Sequence, residues 1–335
     1  MTSATQIRLK KRPEGLPQDD VWEKTQDLPC EPEEGEISVE VQYVSVDPAM
    51  RGWLNDVRSY VPPVGIGEVM RAGGVGTVTA SKSDKIAVGD TVLGTTGVQT
   101  HYVGTAQGFT KIMPELAPAP KFLGGLGMPG MTAYFGLLDV GQAKEGETVL
   151  VSGAAGAVGS VVGQIAKIKG CRVVGIAGGK EKCDMVVEKY GFDACIDYKN
   201  EDVAKALKSA CPDRIDVYFD NVGGQTLEQA LVRIAMHGRI VICGAISQYN
   251  NADDEPMAGP NNYLQLLVQR ARMEGFVVFD YVSRFPEAIM EMVGWIHEGK
   301  LILDEHIVEG IDNFPEALRM LFDGRNMGKL VLKVQ

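Results

Sequence analysis

Residues 35–46 (GEISVEVQYVSV) alternate apolar and polar side chains, the period-two pattern of a strand with one buried face. Residues 69–79, 90–93 and 100–103 repeat it in shorter form between clusters of Gly, Asp and Ser, so the first part of the chain reads as β-rich, closed or partly closed into a barrel. Residues 111–120 carry three prolines and mark the exit from that unit. From residue 147 the texture changes. Apolar runs at 148–152, 172–177, 194–196, 216–219, 239–243 and 275–279 alternate with amphipathic, helix-length segments at 160–169, 181–190, 201–210 and 226–235. Apolar strands separated by helices predict a parallel, doubly wound sheet. The last stretch, 286–335, predicts two helices and a strand at 329–334 that rejoins the first unit. The expectation is an α/β chain of two domains, 1–122 with 300–335 and 123–299.

Composition narrows the partners. Apolar residues make up 45% of the 335, enough for two packed cores. The 44 Asp and Glu against 33 Lys and Arg leave a net charge of −11, which repels nucleic-acid backbones and anionic membrane surfaces. No apolar run approaches the roughly 18 residues of a membrane span, and the polar start of the chain lacks a signal-peptide core. The six cysteines lie far apart without CxxC spacing, which suits reduced thiols in a cytoplasmic protein.

The strongest local signal is at 147–169, ETVLVSGAAGAVGSVVGQIAKIK. An apolar strand runs into Gly153, Gly156 and Gly159, and a helix follows at once. Small residues let backbone N–H groups approach a pyrophosphate, which then faces the positive end of the helix. The fingerprint is imperfect, since Ala154 holds the first glycine position, but its strand–turn–helix context is the one required. An NAD site would place an acidic residue near the end of the next strand. Here 172–177 runs into Gly178, Gly179, Lys180, Glu181 and Lys182, which favours the extra phosphate of NADPH provided Glu181 points away.

Residues 1–150 hold one cysteine, Cys30, and one histidine, His101, too few for a three-ligand catalytic zinc; His237, His297 and His306 are scattered. No GxSxG elbow, P-loop or Cys/His pair is present. Without a Lewis acid the electrophile must be activated by its own structure. A conjugated enone is: hydride adds at the β-carbon, and a donor near the oxygen stabilises the enolate. Tyrosine and cofactor ribose hydroxyls can serve.

Several stretches together resemble one family: VDPAMRG (46–52), GMPGMTAYFGLLD (127–139), GAVGSVVGQIAKIKGC (156–171), FDNVGG (219–224), CGAISQYN (243–250), RMEGFVV (272–278) and GRNMGKLVL (324–332). The chain is similar to the zinc-independent medium-chain dehydrogenase/reductases, in the branch of prostaglandin/leukotriene-type alkenal reductases, plant double-bond reductases and bacterial curcumin reductases. That resemblance implies a GroES-like β-barrel catalytic domain joined to a Rossmann domain, often as a homodimer. It also implies NADPH contacts. Gly156, Ala157, Val158 and Gly159 would cradle the pyrophosphate, with Lys182 and Tyr198 on the adenosine phosphate. Asn221 and the segment Cys243, Gly244, Ala245, Ile246, Ser247, Gln248 and Tyr249 would line the cofactor, Phe276, Val277 and Val278 would flank the nicotinamide, and Asn326 would reach it from the C-terminal region.

One departure stands out. Many relatives carry Tyr where this chain has Ala49, which either widens the pocket or hands the phenol's role elsewhere. Tyr60, Tyr263 and Tyr249 are the candidate catalytic groups, Tyr249 being the one expected at the cofactor ribose; Asp47 and Arg51 read as a structural pair. Two alternatives to double-bond reduction stay open: NADPH-dependent quinone reduction, and NADPH binding without turnover.

Overall fold

The computed structural model describes residues 3–28, 30–251 and 259–334. The chain divides into two compact units, Met1–Gly124 with Glu305–Gln335, and Gly125–Asp304.

The first unit opens on β1 (Ala4–Leu9) and β2 (Trp22–Asp27), an antiparallel pair with Leu9 opposite Trp22. The hydropathy pattern does not announce either strand. β1 buries Ala4, Ile7 and Leu9 without strict alternation, and β2 buries Trp22 alone. Then come β3 (Glu36–Ser45), the short helix α1 (Met50–Trp53), β4 (Gly73–Ser81), β5 (Thr91–Thr95), β6 (His101–Thr105) and β7 (Thr110–Lys111). β3 organises the unit. β4 pairs with it from Ile37 to Val44, while β6 pairs with its first half, from Glu36 to Glu40. Its inward residues Ile37, Val39, Val41 and Val44 are wholly buried. Register shifts in the β3–β4 ladder add the local twist and bend that such irregularities produce.

The second unit contains α2 (Met128–Phe135), which runs on into a π turn at Gly136–Val140, then β8 (Thr148–Ser152), α3 (Gly159–Ile168), β9 (Arg172–Ala177), α4 (Lys180–Glu188) and β10 (Ala194–Asp197). There follow α5 (Val203–Ala210), β11 (Ile215–Asp220), α6 (Gly224–Arg233), β12 (Ile234–Ile242), α7 (Leu264–Gln269), β13 (Arg272–Gly275) and α8 (Phe285–His297). Six parallel strands lie in the order β10-β9-β8-β11-β12-β13, so successive strands wind outwards in both directions from the β8–β11 boundary. That boundary is a topological switch point, where loops at the carboxyl ends of the strands diverge and leave room for a ligand. Leu150, Val174, Tyr218 and Ile240 fill one face of the sheet together with Leu207, Leu227 and Leu231 from α5 and α6.

One expected strand is corrected. The apolar run 275–279 is not a strand: β13 ends at Gly275, and a 3-10 helix occupies Val278–Arg284. Only Val278 of that run is buried, and Phe276 packs edge-on against Phe219 and Tyr281 at 6.5 and 6.4 Å between centroids. Its hydrophobicity serves aromatic packing, which period alone does not distinguish from a core strand.

The chain then completes the first unit with β14 (Glu305–Glu309), α9 (Phe314–Asp323) and β15 (Lys329–Lys333). β15 pairs antiparallel with the end of β3, Val331 opposite Ser45, and parallel with β14. β14 is an edge strand of mixed polarity, which hides it from a hydropathy reading. α9 seats Phe314, wholly buried, against the Trp22 ring at 5.2 Å; burial of such a side chain contributes about 2–3 kcal/mol.

The first unit is also fastened by a buried cation. Lys329, 3% exposed, donates to Asp47 Oδ1 at 2.7 Å and to the Val46 carbonyl at 2.9 Å. Asp47 further accepts from the Ser45 hydroxyl, whereas Arg51 donates to the Gly15 carbonyl and to Asn55. Asp47 is thus ion-paired with Lys329. Truncation in Lys329→Ala leaves a partly buried carboxylate and a carbonyl without their donor, at a cost of about 2–3 kcal/mol because Asp47 keeps some water contact. The expected outcome is a melting midpoint lower by roughly 5–10 °C in a thermal scan; a shift within the error of the scan would contradict this role.

Candidate functional site

The expected phosphate turn forms at the switch point. β8 is buried at every residue and ends at Ser152. Gly153 then takes φ 62°, a left-handed conformation that suits glycine. Gly156 N–H closes the turn on the Gly153 carbonyl at 2.9 Å, and Ser160 N–H follows on Gly156 at 3.0 Å. A Cβ on Gly159 would stand 2.3 Å from the Gly153 carbonyl oxygen, so only glycine lets α3 begin this close to the strand end. No side chain caps the N-terminus of α3. Its first N–H groups are therefore presented to whatever anion lies beyond Gly156, Ala157 and Val158, all half-buried. This cradle fits a dinucleotide diphosphate.

The second strand tip bears on which dinucleotide fits. β9 ends at Ala177, and α4 starts with Lys180 after Gly178 and Gly179. Lys182 is half-buried, Lys180 is exposed and paired with Asp184, and Glu181 is exposed. The Tyr198 ring, itself half-exposed, covers Gly178 so closely that a Cβ there would sit 2.8 Å from it. The nearby carboxylate is Asp197, at the end of β10, which accepts from Gly179 N–H at 2.7 Å, Lys199 N–H at 3.0 Å and Asn200 Nδ2 at 2.7 Å. Burial opposes its ionisation, but these donors outweigh it and hold its carboxyl below the usual range. Asp197 organises the loop, and the strand tip itself is small and flanked by lysines.

Two further loops converge on the same edge. Asn221 Nδ2 donates to the Ser152 carbonyl at 2.7 Å, which ties the end of β11 to that of β8. Cys243 and Gly244 donate their N–H groups to the Asp220 carbonyl at 2.9 and 3.1 Å. Ile246 N–H bonds the Asn221 carbonyl at 3.2 Å, and the Ser247 hydroxyl bonds that of Val222 at 2.6 Å. A 3-10 turn covers Ile246–Gln248, and the Tyr249 hydroxyl accepts from Ala245 N–H at 3.1 Å, which folds that segment on itself. The structure thereby gathers Gly156–Gly159, Asn221 and residues 243–249 around the carboxyl ends of β8, β11 and β12. Lys182 and Tyr198 stand beyond the ends of β9 and β10 in the same unit.

Phe276, Val277 and Val278 follow the carboxyl end of β13, the strand next to β12; Phe276 packs on Phe219, Val277 is half-buried and Val278 is buried. Asn326 belongs to the first unit, buried, with Nδ2 on the Gly328 carbonyl at 3.2 Å. Tyr60 lies in the first unit and Tyr263, just before α7, in the second; both are more than half exposed. Sequence reasoning missed Asp220, Ser152 and Asp197. The signal was there: a polar residue ends each of three apolar strands.

Zinc does not fit. Among the described residues no group of three or more His, Cys, Asp or Glu side chains is placed to hold a metal ion. None of the described helices is long and apolar enough to cross a membrane.

Comparison with known proteins places the chain in a family. Residues 5–112 match the family model of the N-terminal domain of oxidoreductase, and residues 157–294 that of the zinc-binding dehydrogenases. The chain is 47% identical to a putative NADP-dependent oxidoreductase of Bacillus subtilis over 99% of its length and 98% of the relative's. It is 42% identical to the NADPH-dependent curcumin reductase of Escherichia coli, with 97% and 95% covered. It is 43% identical to the NADP(+)-dependent 2-alkenal reductase of Nicotiana tabacum, with 99% and 98% covered. Among solved structures, CurA of Vibrio vulnificus in complex with NADPH superposes with a TM-score of 0.93 at 43% identity, covering 99% of both chains.

The thiol in the third loop is chemically quiet. Burial, and then the Asp220 carboxylate, push Cys243 up to about 12, so almost none of it is thiolate near neutrality. Cys30 is exposed. Iodoacetamide at pH 8 is expected to label Cys30 and spare Cys243, as read by peptide mass mapping of the folded protein. Equal labelling of the two would contradict this assignment.

Proposed function

Because the chain belongs to the zinc-independent alkenal and double-bond reductases, a branch of the medium-chain dehydrogenase/reductases with a GroES-like and a Rossmann domain, it is an NADP-dependent ene-reductase, and we propose how its residues divide the work. The reaction is reduction of the carbon–carbon double bond of an α,β-unsaturated ketone or aldehyde. Full-length identity above 40% to a curcumin reductase and a 2-alkenal reductase carries this reading.

The second unit is the NADP-binding domain. Gly156, Ala157, Val158 and Gly159 cradle the diphosphate, with N–H groups at Ala157, Val158 and Gly159 as its donors, and Lys182 and Tyr198 receive the adenosine side with its 2′-phosphate. Asn221, residues 243–249 and Phe276–Val278 position the nicotinamide half, and Asn326 is a further cofactor contact; the first unit is the catalytic domain. NADPH, when bound, supplies a hydride to the β-carbon. A tyrosine hydroxyl from Tyr60 or Tyr263 donates a hydrogen bond to the oxygen on which the enolate charge develops, with Tyr249 holding its loop against the ribose. A proton delivered to the α-carbon completes the saturated carbonyl product.

Two coarser features extend the proposal. Among the described residues β13 forms an edge of its sheet, and Leu264, Leu267 and Val268 of α7, the helix that precedes it, are exposed apolar side chains, which supports a homodimer through this edge. Light scattering should then give a mass near twice the 36.2 kDa of one chain, and a mass of one chain would remove the idea. The six cysteines are all free thiols, which supports the cytoplasm as the working compartment.

The function is tested by incubating the protein with trans-2-alkenals or an aryl enone and each reduced cofactor. NADPH should be consumed faster than NADH, and mass spectrometry should show the saturated carbonyl. Lys182→Ala is expected to raise KM for NADPH roughly tenfold and leave that for NADH nearly unchanged, the loss of one charge-assisted phosphate contact. NADPH oxidation without saturated product would favour quinone-type reduction instead.

A further inference from the structure

The side chain of Asp220 plays no part in the steps above, yet it is 1% exposed and sits at the switch point of the sheet. Its Oδ1 collects four donors: Tyr218 hydroxyl at 2.7 Å, Ser152 hydroxyl at 3.1 Å, Val222 N–H at 3.0 Å and Gly223 N–H at 2.9 Å. Its main-chain carbonyl holds Cys243 and Gly244. Ser152 Oγ in turn accepts from Asn221 N–H at 2.9 Å. One residue thus joins the loop leaving β8, the loop leaving β11 and the loop leaving β12. The first of these becomes the glycine turn, and the other two contain Asn221 and residues 243–249.

We propose that Asp220 is a positioning residue for NADPH: its carboxylate fixes the end of β8 and the loop leaving β11 in mutual register before the cofactor arrives, and its main-chain carbonyl adds the loop leaving β12. The inference rests on the cofactor assignment made above and goes beyond it, since Asp220 itself need touch no ligand. Its two oxygens are used unequally. Oδ2 is buried with no hydrogen-bond partner among the described residues, so all the holding done by the side chain passes through Oδ1. The working part is a single acceptor, enclosed where water cannot stand in for it. Gly223 and Gly224, with φ of 71° and 55°, form a turn that depends on that acceptor for its first N–H.

This asymmetry separates positioning from mere packing. In Asp220→Asn the amide oxygen can occupy the Oδ1 place and keep the four donors, while the amide nitrogen takes the Oδ2 place and finds no acceptor. In Asp220→Ala all four donors lose their acceptor. NADPH binding to each variant is measured by quenching of protein fluorescence, at a temperature where thermal scans show the cofactor-free protein folded. Asp220→Ala should weaken NADPH at least about tenfold, with kcat at saturating NADPH within about threefold of the parent. Asp220→Asn should recover most of that affinity although its melting temperature also falls. A residue that only supported the core would lower both melting temperatures and leave the affinity of the folded fraction alone. Parental affinity in Asp220→Ala, or equal loss in Asp220→Asn, overturns the inference. If Asp220→Ala is not obtained folded, Ser152→Ala replaces it: a several-fold weaker NADPH affinity supports the positioning role, and parental affinity overturns it. A parent that itself fails to bind NADPH would instead remove the cofactor assignment, and this inference with it.

Discussion

A parallel sheet satisfies its backbone along the strands, but at their carboxyl ends the ladder stops and the polar groups of each departing loop must find other partners. At the β8–β11 boundary this chain has three loops leaving within a few residues of one another. Side chains cannot simply fill the space, because filling it would remove the ligand site. The solution visible here combines glycines that let α3 approach the strand end with one acidic residue that collects the loop N–H groups from beneath. What remains on the outer side is a row of backbone donors at the start of α3 that no side chain caps. Affinity for a diphosphate is in this sense what is left over once the interior bonds have been made.

The first unit answers a different demand. It is built mostly from short antiparallel strands of mixed polarity, and its core draws on side chains distant in sequence, among them Leu9, Val44, Met50, Phe314 and Leu330. β3 is the member on which the others register, paired with β4 along one length and with β6 and β15 at its two ends. The Lys329–Asp47 pair joins β15 to the turn after β3 in a place where either ion alone would be poorly solvated. Such a pair adds less net stability than specificity: it selects one seating of β15 over a slipped one.

How much of this was legible in the sequence depends on burial. The buried parallel strands β8 and β9 stand at the residues the apolar runs predict, 148–152 and 172–177, because a strand covered on both faces leaves an unbroken signal. The glycine turn and the small β9 tip were equally readable, since their residue types answer to steric need. β1, β2 and β14 were not, because half-exposed strands with charged faces look like loops. The run at 275–279 misled for the opposite reason, its hydrophobic residues being used in a 3-10 turn and an aromatic cluster. Asp220 lay in plain view within the FDNVGG stretch, but nothing in sequence spacing shows that one oxygen gathers four donors from its own strand, the neighbouring strand and one loop. Tyr60, Tyr249 and Tyr263 could be named as candidates, while their surroundings depend on packing that no period encodes.

The pairing of Val331 with Ser45 has a consequence for how the molecule is made. During translation the first unit waits for its last strands while the whole of the second unit, continuous in sequence, emerges and can fold ahead of it. At about 5–20 residues per second, β3 spends roughly 15–60 s at the ribosome with the Tyr43–Ser45 end of one flank uncovered. The nascent segment therefore faces its greatest hazard of aggregation before the second unit is released, and assistance from a holding chaperone would matter most for the part of the chain synthesised first.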